Sequence, residues 1–290
     1  MTFTFHLVYE VSLKVIKSIK EITNWGLSQP VILVPTMGAL HDGHRKLIRE
    51  GNAIKGNKGT LIVSIYLNPI QFNDPKDLDK YPRTFDTDYK VCEEEGVDLI
   101  FAPSDAEMYL NSSSVKVSEN KIARELCGSK RPGHFDGVCT VVTKLFNLIK
   151  PKIAIFGKKD YQQLSIIRQL VTDLNYSIEI IAIETQREQS GLAMSSRNEQ
   201  LNEIEKEKSS VIYEALEAMA KSGESKSKNL IRLGKSIIEK ESQIIEIDYL
   251  EVVDRSNMAK LEIIDRPALV AIAVFIGKTR LIDNIEINFE

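Results

Sequence analysis

The sequence is poor in the features that mark secreted and membrane-bound proteins. It has only three cysteines, which lie far apart without metal-ligand spacing: Cys92, Cys127 and Cys139. No apolar stretch approaches the roughly 18 residues of a membrane span. The apolar run at 3–13 is interrupted by His6 and Glu10 and follows no basic segment, so we expect no signal peptide. We therefore expect a protein of the reducing cytoplasm with no membrane partner.

Neither sign of charge dominates the sequence. The 38 Lys and Arg residues against 41 Asp and Glu residues give a net charge of −3, whereas a dedicated nucleic-acid binder normally has a strongly basic face. With 43% hydrophobic and 27% charged residues, the composition argues against disorder and supplies enough apolar material for a core. A chain of 290 residues has room for one large domain or two of ordinary size.

Short apolar runs alternate with longer amphipathic segments over the first two thirds of the chain. The runs are typical of strands buried on both faces of a parallel sheet, and we predict strands at 31–34, 61–65, 98–101, 153–156 and 178–183. The amphipathic spacing predicts helices at 11–25, 44–57, 86–95, 137–150 and 161–174. This alternation implies right-handed crossovers, so the expected fold class is α/β, with a doubly wound, Rossmann-like parallel sheet.

The pattern changes after the last of these strands. Residues 202–242 are charged and helical in pattern, and strand-like runs follow at 244–253, 268–275 and 280–287, separated by Pro267 and Gly277. Helices followed by a cluster of strands indicate a smaller α+β domain. With the boundary near 183–186, we predict a Rossmann-like domain over 1–185 and a C-terminal α+β domain over 186–290.

The segment PTMGALHDGHR at 35–45 is the most informative part of the sequence. It leaves a predicted strand, turns through Gly38 and reaches His41 and His44 as a helix pattern begins. In a doubly wound sheet, ligands bind beyond the carboxyl ends of the strands, and a helix that begins there presents free N–H groups to phosphate. Gly43 allows a nucleotide to approach the backbone, and a protonated histidine would stabilise departing pyrophosphate.

Two other interpretations of the histidine pair are a surface turn and a zinc site. Two of the chain's four histidines share one strand–turn–helix junction, which favours a functional role over a plain turn. Zinc is less favoured because no third or fourth ligand stands at metal spacing.

Two further segments place ligand-type side chains at expected strand ends. SIYLNPIQF contains Asn68 and Gln71, whose amides suit a substrate with hydroxyls and a carboxylate, although a plain polar loop is an equal alternative. FGKKDYQQ at 156–163 offers a glycine for close approach, two lysines for phosphate, and an aspartate for ribose hydroxyls or a helix cap: Gly157, Lys158, Lys159 and Asp160. A solvated turn is the alternative for this second segment.

GLAMSSRN at 191–198 follows the last predicted parallel strand. Its serine hydroxyls and the planar guanidinium of Arg197 form a compact binder of phosphate oxygens. Ser196 or Asn198 also suits the N-cap of the following helix, and both roles can coexist. RPGHF at 131–135 is a loop signal, and nothing local requires Arg131 or His134 to lie at the site.

Taken together, these segments resemble the pantothenate synthetase (pantoate–β-alanine ligase) family. Eight blocks occur in the family's order over residues 31–284: PTMGALHDGH, SIYLNPIQF, YPRT, RPGHFDGV, KLFN, FGKKDYQQL, GLAMSSRN and TRLIDN. HxGH alone indicates only the wider nucleotidyltransferase superfamily, whereas eight ordered blocks are far more specific. The resemblance implies an enzyme that condenses pantoate with β-alanine through a pantoyl adenylate, releasing pyrophosphate and then AMP.

The resemblance also assigns roles to individual residues. It implies catalysis by His44, as proton donor, with His41 and Lys159. Gln71 and Gln163 are expected to hold pantoate, and Gln71 also β-alanine. ATP, a co-substrate with Mg²⁺, is expected to contact a larger set: Met37, Gly38, His41, His44, Gly157, Lys159, Asp160, Gln186, Met194, Ser195, Ser196 and Arg197. We expect no metal site on the protein itself, a C-terminal domain that acts as a lid over the nucleotide, and, as is typical of the family, a homodimer.

Two residues depart from the family's pattern. Lys158 replaces the acid of GEKD, and Ser190 replaces the aspartate before GLAMSSRN. Lys158 is expected to add positive charge beside the phosphates. Neither change affects a residue with an assigned role, so we expect activity to be retained.

Two other functions remain open at this stage. One is a nucleotidyltransferase or adenylate-forming ligase with a different substrate, and the other is a nucleotide-sensing protein without catalysis. A ligase acting on tRNA is disfavoured, because residues 186–290 contain 15 basic and 19 acidic side chains and offer RNA no basic surface.

Overall fold

A six-stranded parallel sheet forms the first part of the protein, whose computed structural model describes residues 13–241 and 243–288. Its strands are β1 (Lys14–Ile16), β2 (Val31–Thr36), β3 (Thr60–Ile65), β4 (Leu99–Phe101), β5 (Ile153–Gly157) and β6 (Glu179–Ile183). Their order in the sheet is β1-β4-β3-β2-β5-β6. In β2, Val31 and Leu33 belong to one hydrophobic cluster, and Ile32 and Val34 belong to another. Both faces of the strand are therefore buried, which explains why residues 31–34 are all apolar.

Helices cover both faces of this sheet. In chain order they are α1 (Ile19–Asn24), α2 (Asp42–Lys55), α3 (Pro75–Lys80), α4 (Phe85–Glu94), α5 (Asp105–Met108), α6 (Leu126–Lys130), α7 (His134–Ile149) and α8 (Tyr161–Asp173). Helices α2 and α4 pack on one face, and α1, α7 and α8 pack on the other. The predicted doubly wound α/β class is confirmed.

The C-terminal part is α+β, as expected. It comprises α9 (Glu203–Lys221), α10 (Ser227–Ile238) and the strands β7 (Ile245–Asp254), β8 (Ala268–Ile276) and β9 (Thr279–Ile287), which form an antiparallel sheet in the order β7-β8-β9. Leu269 and Ala271 of β8 join the hydrophobic cluster of α7 and α8, whereas Val270 and Ile272 pack with α9 and α10. Because β8 is covered on both faces, its sequence is an almost unbroken apolar run.

The predicted helix at 11–25 is confirmed only over α1 (Ile19–Asn24) and is wrong over Lys14–Ile16, which form a strand. Lys14–Ile16 pair with β4 as an edge strand, and α1 begins only after Ser18, whose side chain accepts a hydrogen bond from the Glu21 N–H. The β-branched Ile16 is fully buried in the sheet core, which favours the extended conformation over a helix. Residues 11 and 12, and most of the apolar run at 3–13, lie outside the described residues.

The helical segment at 202–242 is divided in two. Gly223, at a φ of +68°, lies in the connection between α9 and α10, and Ser242 lies outside the described residues. Within the ranges 13–241 and 243–288, no helix combines the length and the apolar character needed to span a membrane.

Candidate active site

A cavity of about 250 Å³ opens at the carboxyl edge of the parallel sheet. Thr36 at the end of β2, Gly157 at the end of β5 and Glu184 just after β6 line it, as do Tyr66 and Asn68 after β3. Since β3 and β5 flank β2 on opposite sides, the cavity lies where the winding direction of the chain reverses.

Except for Gly38, every residue assigned to a substrate from the sequence lines this cavity. A larger open groove of about 600 Å³ lies between α6 and β7, and none of the assigned residues is in its described lining. The identity of the side chains, rather than the size of the cavity, therefore marks the site.

His41 and His44 close the N-terminus of α2 through a reciprocal pair of hydrogen bonds. The N–H of Gly43 donates to Nδ1 of His41 at 3.1 Å, and the N–H of His41 donates to Nδ1 of His44 at 3.3 Å. Both Nδ1 atoms are acceptors, so the proton of each neutral ring lies on Nε2. Two Nε2–H groups therefore remain to donate to a ligand in the cavity.

Both rings are neutral at pH 7 in the free protein. Burial lowers the pKa of His41 to about 4, with Lys159 adding to the effect, and burial together with His41 and Lys159 lowers the pKa of His44 to about 3. The free protein therefore presents neutral imidazoles, because poor solvation and a nearby ammonium both disfavour the charge, and protonation of a histidine during the reaction stays a prediction. The pair is instead poised to donate neutral hydrogen bonds.

These lowered pKa values predict a loss of stability in mild acid. The unfolded chain binds protons at His41 and His44 below the ordinary pKa of 6.5, whereas the folded protein does not bind them until about pH 4 and pH 3. The stabilisation is therefore complete above pH 6.5 and is lost as the pH falls towards the folded values. We expect the free energy of unfolding to fall by up to about 1.4 kcal/mol per pH unit for each histidine.

Urea unfolding at pH 7, 6 and 5 measures this slope. Carboxylates also titrate in this window, so the slope of the free energy of unfolding against pH is compared between the wild type and His44→Gln. The variant should take up about one proton fewer on unfolding and should therefore show a smaller slope. Glu50→Gln, at an exposed position of α2, is the matched control. Equal slopes for wild type and His44→Gln would contradict the assignment.

Gly43 leaves room for the ring of His41 at the start of α2. A Cβ at this position would lie 2.8 Å from Cε1 and 2.9 Å from Nδ1 of His41. We expect Gly43→Ala to displace the His41 ring and raise the Kd for ATP by about tenfold, while the weakened His41 cap offsets the gain in helix propensity and leaves stability within about 1 kcal/mol of the wild type. Calorimetric titration with ATP and thermal unfolding check this. Gly26→Ala is the control, since a Cβ there has no neighbour within 4 Å, and unchanged ATP affinity in Gly43→Ala would refute the steric argument.

Gly38 shapes the turn before the histidines and does not line the cavity. Its φ is +80°, and a Cβ would lie 3.0 Å from Oδ2 of Asp88. The buried Asp88 carboxylate accepts the N–H groups of Ala39 at 3.0 Å and Leu40 at 2.8 Å. Asp88, which no sequence pattern indicated, therefore fixes the direction in which the chain enters α2.

Gln71 is held at the cavity by a chain of amides. Its Nε2 donates to Sδ of Met37 at 3.1 Å, and its Oε1 accepts from Nδ2 of Asn68 at 2.8 Å. Asn68 is fixed in turn, because its Nδ2 donates to the Gly137 carbonyl at 3.1 Å and its Oδ1 accepts from the Tyr109 hydroxyl at 2.8 Å. The two predicted amides thus lie at the cavity, with Asn68 orienting Gln71.

The RPGHF segment also lines the cavity, which its loop pattern did not indicate. His134 donates from Nδ1 to the Gln71 carbonyl at 2.7 Å, so its Nε2 is the acceptor for Arg131 at 3.2 Å. Burial, followed by the Arg131 charge, lowers the pKa of His134 to about 3. Within the described residues, the hydrogen bonds of Arg131 go to His134 and the Gln71 carbonyl rather than to a carboxylate. Its guanidinium is therefore available to an anionic ligand.

Lys159 reaches the cavity from the turn that joins β5 to α8, and Gln163 reaches it from the first turn of α8. The turn is a 3₁₀ helix, Lys158–Asp160, and Nζ of Lys159 lies 3.7 Å from Oδ1 of Asp160. Gln163 lines the cavity, whereas its neighbour Gln162 is buried and donates to the carbonyls of Ile122 at 2.8 Å and Glu125 at 2.7 Å. Of the two adjacent glutamines, one is thus available to a ligand and the other has a structural role.

Lys158 does not line the cavity, so the expectation of extra charge beside the phosphates is wrong. Its Nζ pairs with Glu184 and with Glu286 of β9, the latter at 2.7 Å. Glu286 also accepts a hydrogen bond from the Tyr161 hydroxyl at 2.8 Å. Two carboxylates neutralise this lysine on the side of the turn that faces β9.

The GLAMSSRN segment closes the cavity with a loop and a 3₁₀ turn, Ser196–Gln200. Ser195 caps that turn by accepting the Arg197 N–H at 3.3 Å, and Asn202 caps α9. The interpretation of Ser196 or Asn198 as the helix cap is therefore wrong.

Both ends of this loop make contacts with residues of other segments. Met194 donates its N–H to the Gln186 carbonyl at 2.9 Å. Arg197 pairs with Asp77 at 3.1 Å, and the Ser196 hydroxyl donates to the Tyr81 hydroxyl at 3.3 Å. The sequence analysis assigned no role to Asp77 or to Tyr81 of the YPRT block, because their partners lie more than a hundred residues away.

The carboxylates of the cavity decide what kind of metal ion it could hold. In the part of the chain that the structure describes, no three His, Cys, Asp or Glu side chains come together as a metal site. Asp160 and Glu184 are the carboxylates in the cavity lining, and Lys158 engages Glu184. Magnesium is commonly bound by one or two carboxylates together with substrate phosphates. The donors therefore fit Mg²⁺ only as an ion that arrives bound to the phosphates of a nucleotide.

Known proteins resemble this chain over most of its length. The family model described as Pantoate-beta-alanine ligase matches residues 13–286. The pantothenate synthetase of Akkermansia muciniphila is 47% identical over 268 residues, which cover 89% of this chain and 92% of that protein. That of Syntrophus aciditrophicus is 43% identical over 281 residues, with 94% and 96% covered.

Solved structures agree with the sequence comparisons. The pantoate-beta-alanine ligase (pantothenate synthetase) structure from Thermus thermophilus superposes with a TM-score of 0.90 at 36% identity, covering 95% of this chain and all (100%) of that one. The pantoate-beta-alanine ligase from Francisella tularensis, complexed with beta-gamma ATP and beta-alanine, gives a TM-score of 0.78 at 35% identity, with 94% and 97% covered.

Proposed function

This chain belongs to the pantoate-beta-alanine ligase family, and from that premise we propose that it uses ATP to condense pantoate with β-alanine, giving pantothenate, AMP and pyrophosphate. The observation that carries the proposal is the meeting of motif residues from four separate segments at one cavity on the carboxyl edge of the sheet. The relative from Francisella tularensis, complexed with beta-gamma ATP and beta-alanine, supports two of the three substrates.

The chemistry of pantoate suits one side of this cavity. Pantoate has two methyl groups on one carbon, two hydroxyls and a carboxylate. Helix α7 lines the cavity with apolar side chains for the methyl groups: Val138, Val141, Val142 and Leu145. Gln71 and Gln163 supply amides that both donate to and accept from the hydroxyls and the carboxylate.

In the first step, a carboxylate oxygen of pantoate attacks the α-phosphorus of ATP, and the bond to pyrophosphate breaks. Holding the two groups in line contributes about 7–11 kcal/mol through proximity. Negative charge grows on the departing pyrophosphate, and we assign its stabilisation to Nε2–H of His41 and His44 and to the cations Lys159 and Arg197. Mg²⁺ bound to ATP neutralises further phosphate charge.

We assign contacts with the rest of the nucleotide to residues that surround His41, His44, Lys159 and Arg197. Met37, Gly157 and Gln186 contact the nucleoside, Asp160 accepts from the ribose hydroxyls, and Met194, Ser195 and Ser196 lie along the phosphates. Their shared position in the cavity lining supports this assignment.

In the second step, the amine of β-alanine attacks the acyl carbon of the adenylate, and AMP leaves. Gln71 is proposed to hold the amine side of β-alanine. The guanidinium of Arg131, hydrogen-bonded to the Gln71 carbonyl, adds to the anion-binding character of this end. No covalent bond to the protein is required.

We also propose a domain organisation, an oligomeric state and a cellular compartment for the protein. Residues 1–185 hold ATP and pantoate, and 186–290 act as a lid, which the position of Met194 and Arg197 in the cavity lining supports. We propose a homodimer because dimers are typical of the family. The cytoplasm suits Cys92, Cys127 and Cys139, which are all free and buried.

One assay tests the function. The protein is mixed with ATP, Mg²⁺, pantoate and β-alanine, and AMP and pantothenate are measured. AMP and pantothenate that depend on both acids are the expected result. Tight ATP binding without product would contradict catalysis and favour a nucleotide-sensing role, and turnover only with another acid would point to a different ligase.

A further inference from the structure

The TRLIDN block near the C-terminus has no role in the function described so far, although it lies beside the nucleotide residues. Asn284 is buried in β9, and its Nδ2 donates to the carbonyls of Lys158 at 3.0 Å and Lys159 at 2.8 Å. These two carbonyls belong to the 3₁₀ turn that presents Lys159 and Asp160 to the cavity. One side-chain amide therefore holds the main chain of this turn.

The preceding residue, Asp283, holds the second nucleotide segment through an arginine. Its buried carboxylate pairs with Arg187 through two hydrogen bonds of 2.5 and 3.0 Å. Arg187 also donates to the Gly191 carbonyl at 3.1 Å and stacks 3.7 Å from the ring centre of Tyr213. Arg187 lies at the base of the loop that leads to Arg197 of GLAMSSRN, and an isolated bridge pairs Arg187 with Ala193.

The two neighbours are also tied to each other. The N–H of Asn284 donates to Oδ1 of Asp283 at 2.8 Å. Lys159, Ser195, Arg197 and Asp283 all line a further small cavity beside the main one. Two segments separated by more than twenty residues in the chain are thus anchored to adjacent residues of one strand.

We propose that Asp283 and Asn284 are positioning residues that hold the Lys158–Asp160 turn and the 186–197 loop in fixed register, so that Lys159 and Arg197 meet the phosphates of the same nucleotide. Neither residue touches the reacting atoms in this scheme, since Asn284 acts through main-chain carbonyls and Asp283 acts through Arg187. The inference rests on the proposed function for its kinetic readout, but its binding readout requires only ATP.

Asn284→Asp is the sharpest test, because it keeps the shape of the side chain and replaces the donating amide by an oxygen facing two carbonyls. We expect the KM for ATP to rise about ten- to hundredfold, as two hydrogen bonds are lost. The KM for β-alanine should change less than about twofold, and the melting temperature by only a few degrees. Asn257→Asp makes the same change of charge at an exposed site of the C-terminal part and should leave the KM for ATP unchanged.

A merely structural role would give a different pattern. It would lower the melting temperature and the fraction of active enzyme, seen as a lower kcat with an unchanged KM for ATP, and that result would overturn the proposal. If Asn284→Asp does not fold, Asn284→Ala decides, because it removes the amide without adding charge. Asp283→Asn should weaken ATP binding in the same direction, with exposed Asp265→Asn as its charge-matched control.

Calorimetric titration with ATP alone separates this inference from the function. Weaker ATP binding by Asn284→Asp than by wild type supports the positioning role even if the wild type makes no pantothenate. Equal affinities would overturn the positioning role even if the wild type is a fully active ligase.

Discussion

His44→Ala is expected to slow formation of the pantoyl adenylate by about 10²- to 10³-fold, the usual effect of removing a donor aimed at developing negative charge. The His44 ring is neutral in the free protein, and its Nδ1 is occupied by the His41 N–H. The Nε2–H is therefore the group lost to the phosphates. The rate of the pyrophosphate burst with ATP and pantoate, without β-alanine, measures this step.

The same substitution opens the capping arrangement at the start of α2, so folding must be measured beside chemistry. Loss of a cap costs about 0.5–2 kcal/mol, which urea unfolding at pH 7 detects. Glu50→Ala, an exposed change in the same helix, is the control for both readouts. A burst rate for His44→Ala within threefold of the wild type would remove His44 from the chemistry.

Gly137→Ala is expected to damage the pantoate end of the cavity and the stability of the fold together. A Cβ at 137 would lie 2.6 Å from Cα and 2.7 Å from the backbone nitrogen of Gln71, and 2.7 Å from the Ile70 carbonyl oxygen. All three neighbours are main chain, so either α7 or the turn that carries Gln71 must move. Overpacking of this kind costs about 1–3 kcal/mol. The shift also pulls the Gly137 carbonyl away from Asn68, which orients Gln71.

We therefore expect the KM for pantoate to rise at least about tenfold in Gly137→Ala, with a smaller change in the KM for ATP. Steady-state kinetics with each substrate varied, together with urea unfolding, check both effects. Gly26→Ala adds the same methyl group where no atom lies within 4 Å. If Gly137→Ala had the pantoate kinetics and the stability of the wild type, the prediction would be wrong, because α7 and the turn that carries Gln71 would then accommodate the added methyl group without harm.

The cavity was predictable where a strand end and a ligand-type side chain coincide in the sequence. Lys159 stands just after a predicted strand, and His41 and Arg197 lie in the segments that follow predicted strands; parallel strands bring their carboxyl ends to one edge. Their protonation was not predictable, because the pKa of His41 depends on burial and on Lys159, which is remote in the chain. The domain boundary near 183–186 stays a prediction.

The sequence did not predict the roles of residues that act through the main chain, although Asn284 lies in the TRLIDN block. Asp88 accepts from Ala39 across 49 positions, and Asn284 reaches Lys159 across 125. Nothing in the composition around either residue distinguishes it from an ordinary surface carboxylate or amide. Strand β1 was missed for a related reason, since three residues are too few to show a period and only pairing with β4 makes them extended.

The double-sided burial of β8 has a thermodynamic consequence for the whole chain. Leu269 and Ala271 complete the core around α7 and α8, while Val270 and Ile272 complete the core around α9 and α10. Because both cores depend on this strand, we expect the two parts to unfold cooperatively rather than to melt independently. A substrate bound at the edge of the parallel sheet then protects residues far from it, including the α9–α10 pair, by mass action on one common equilibrium.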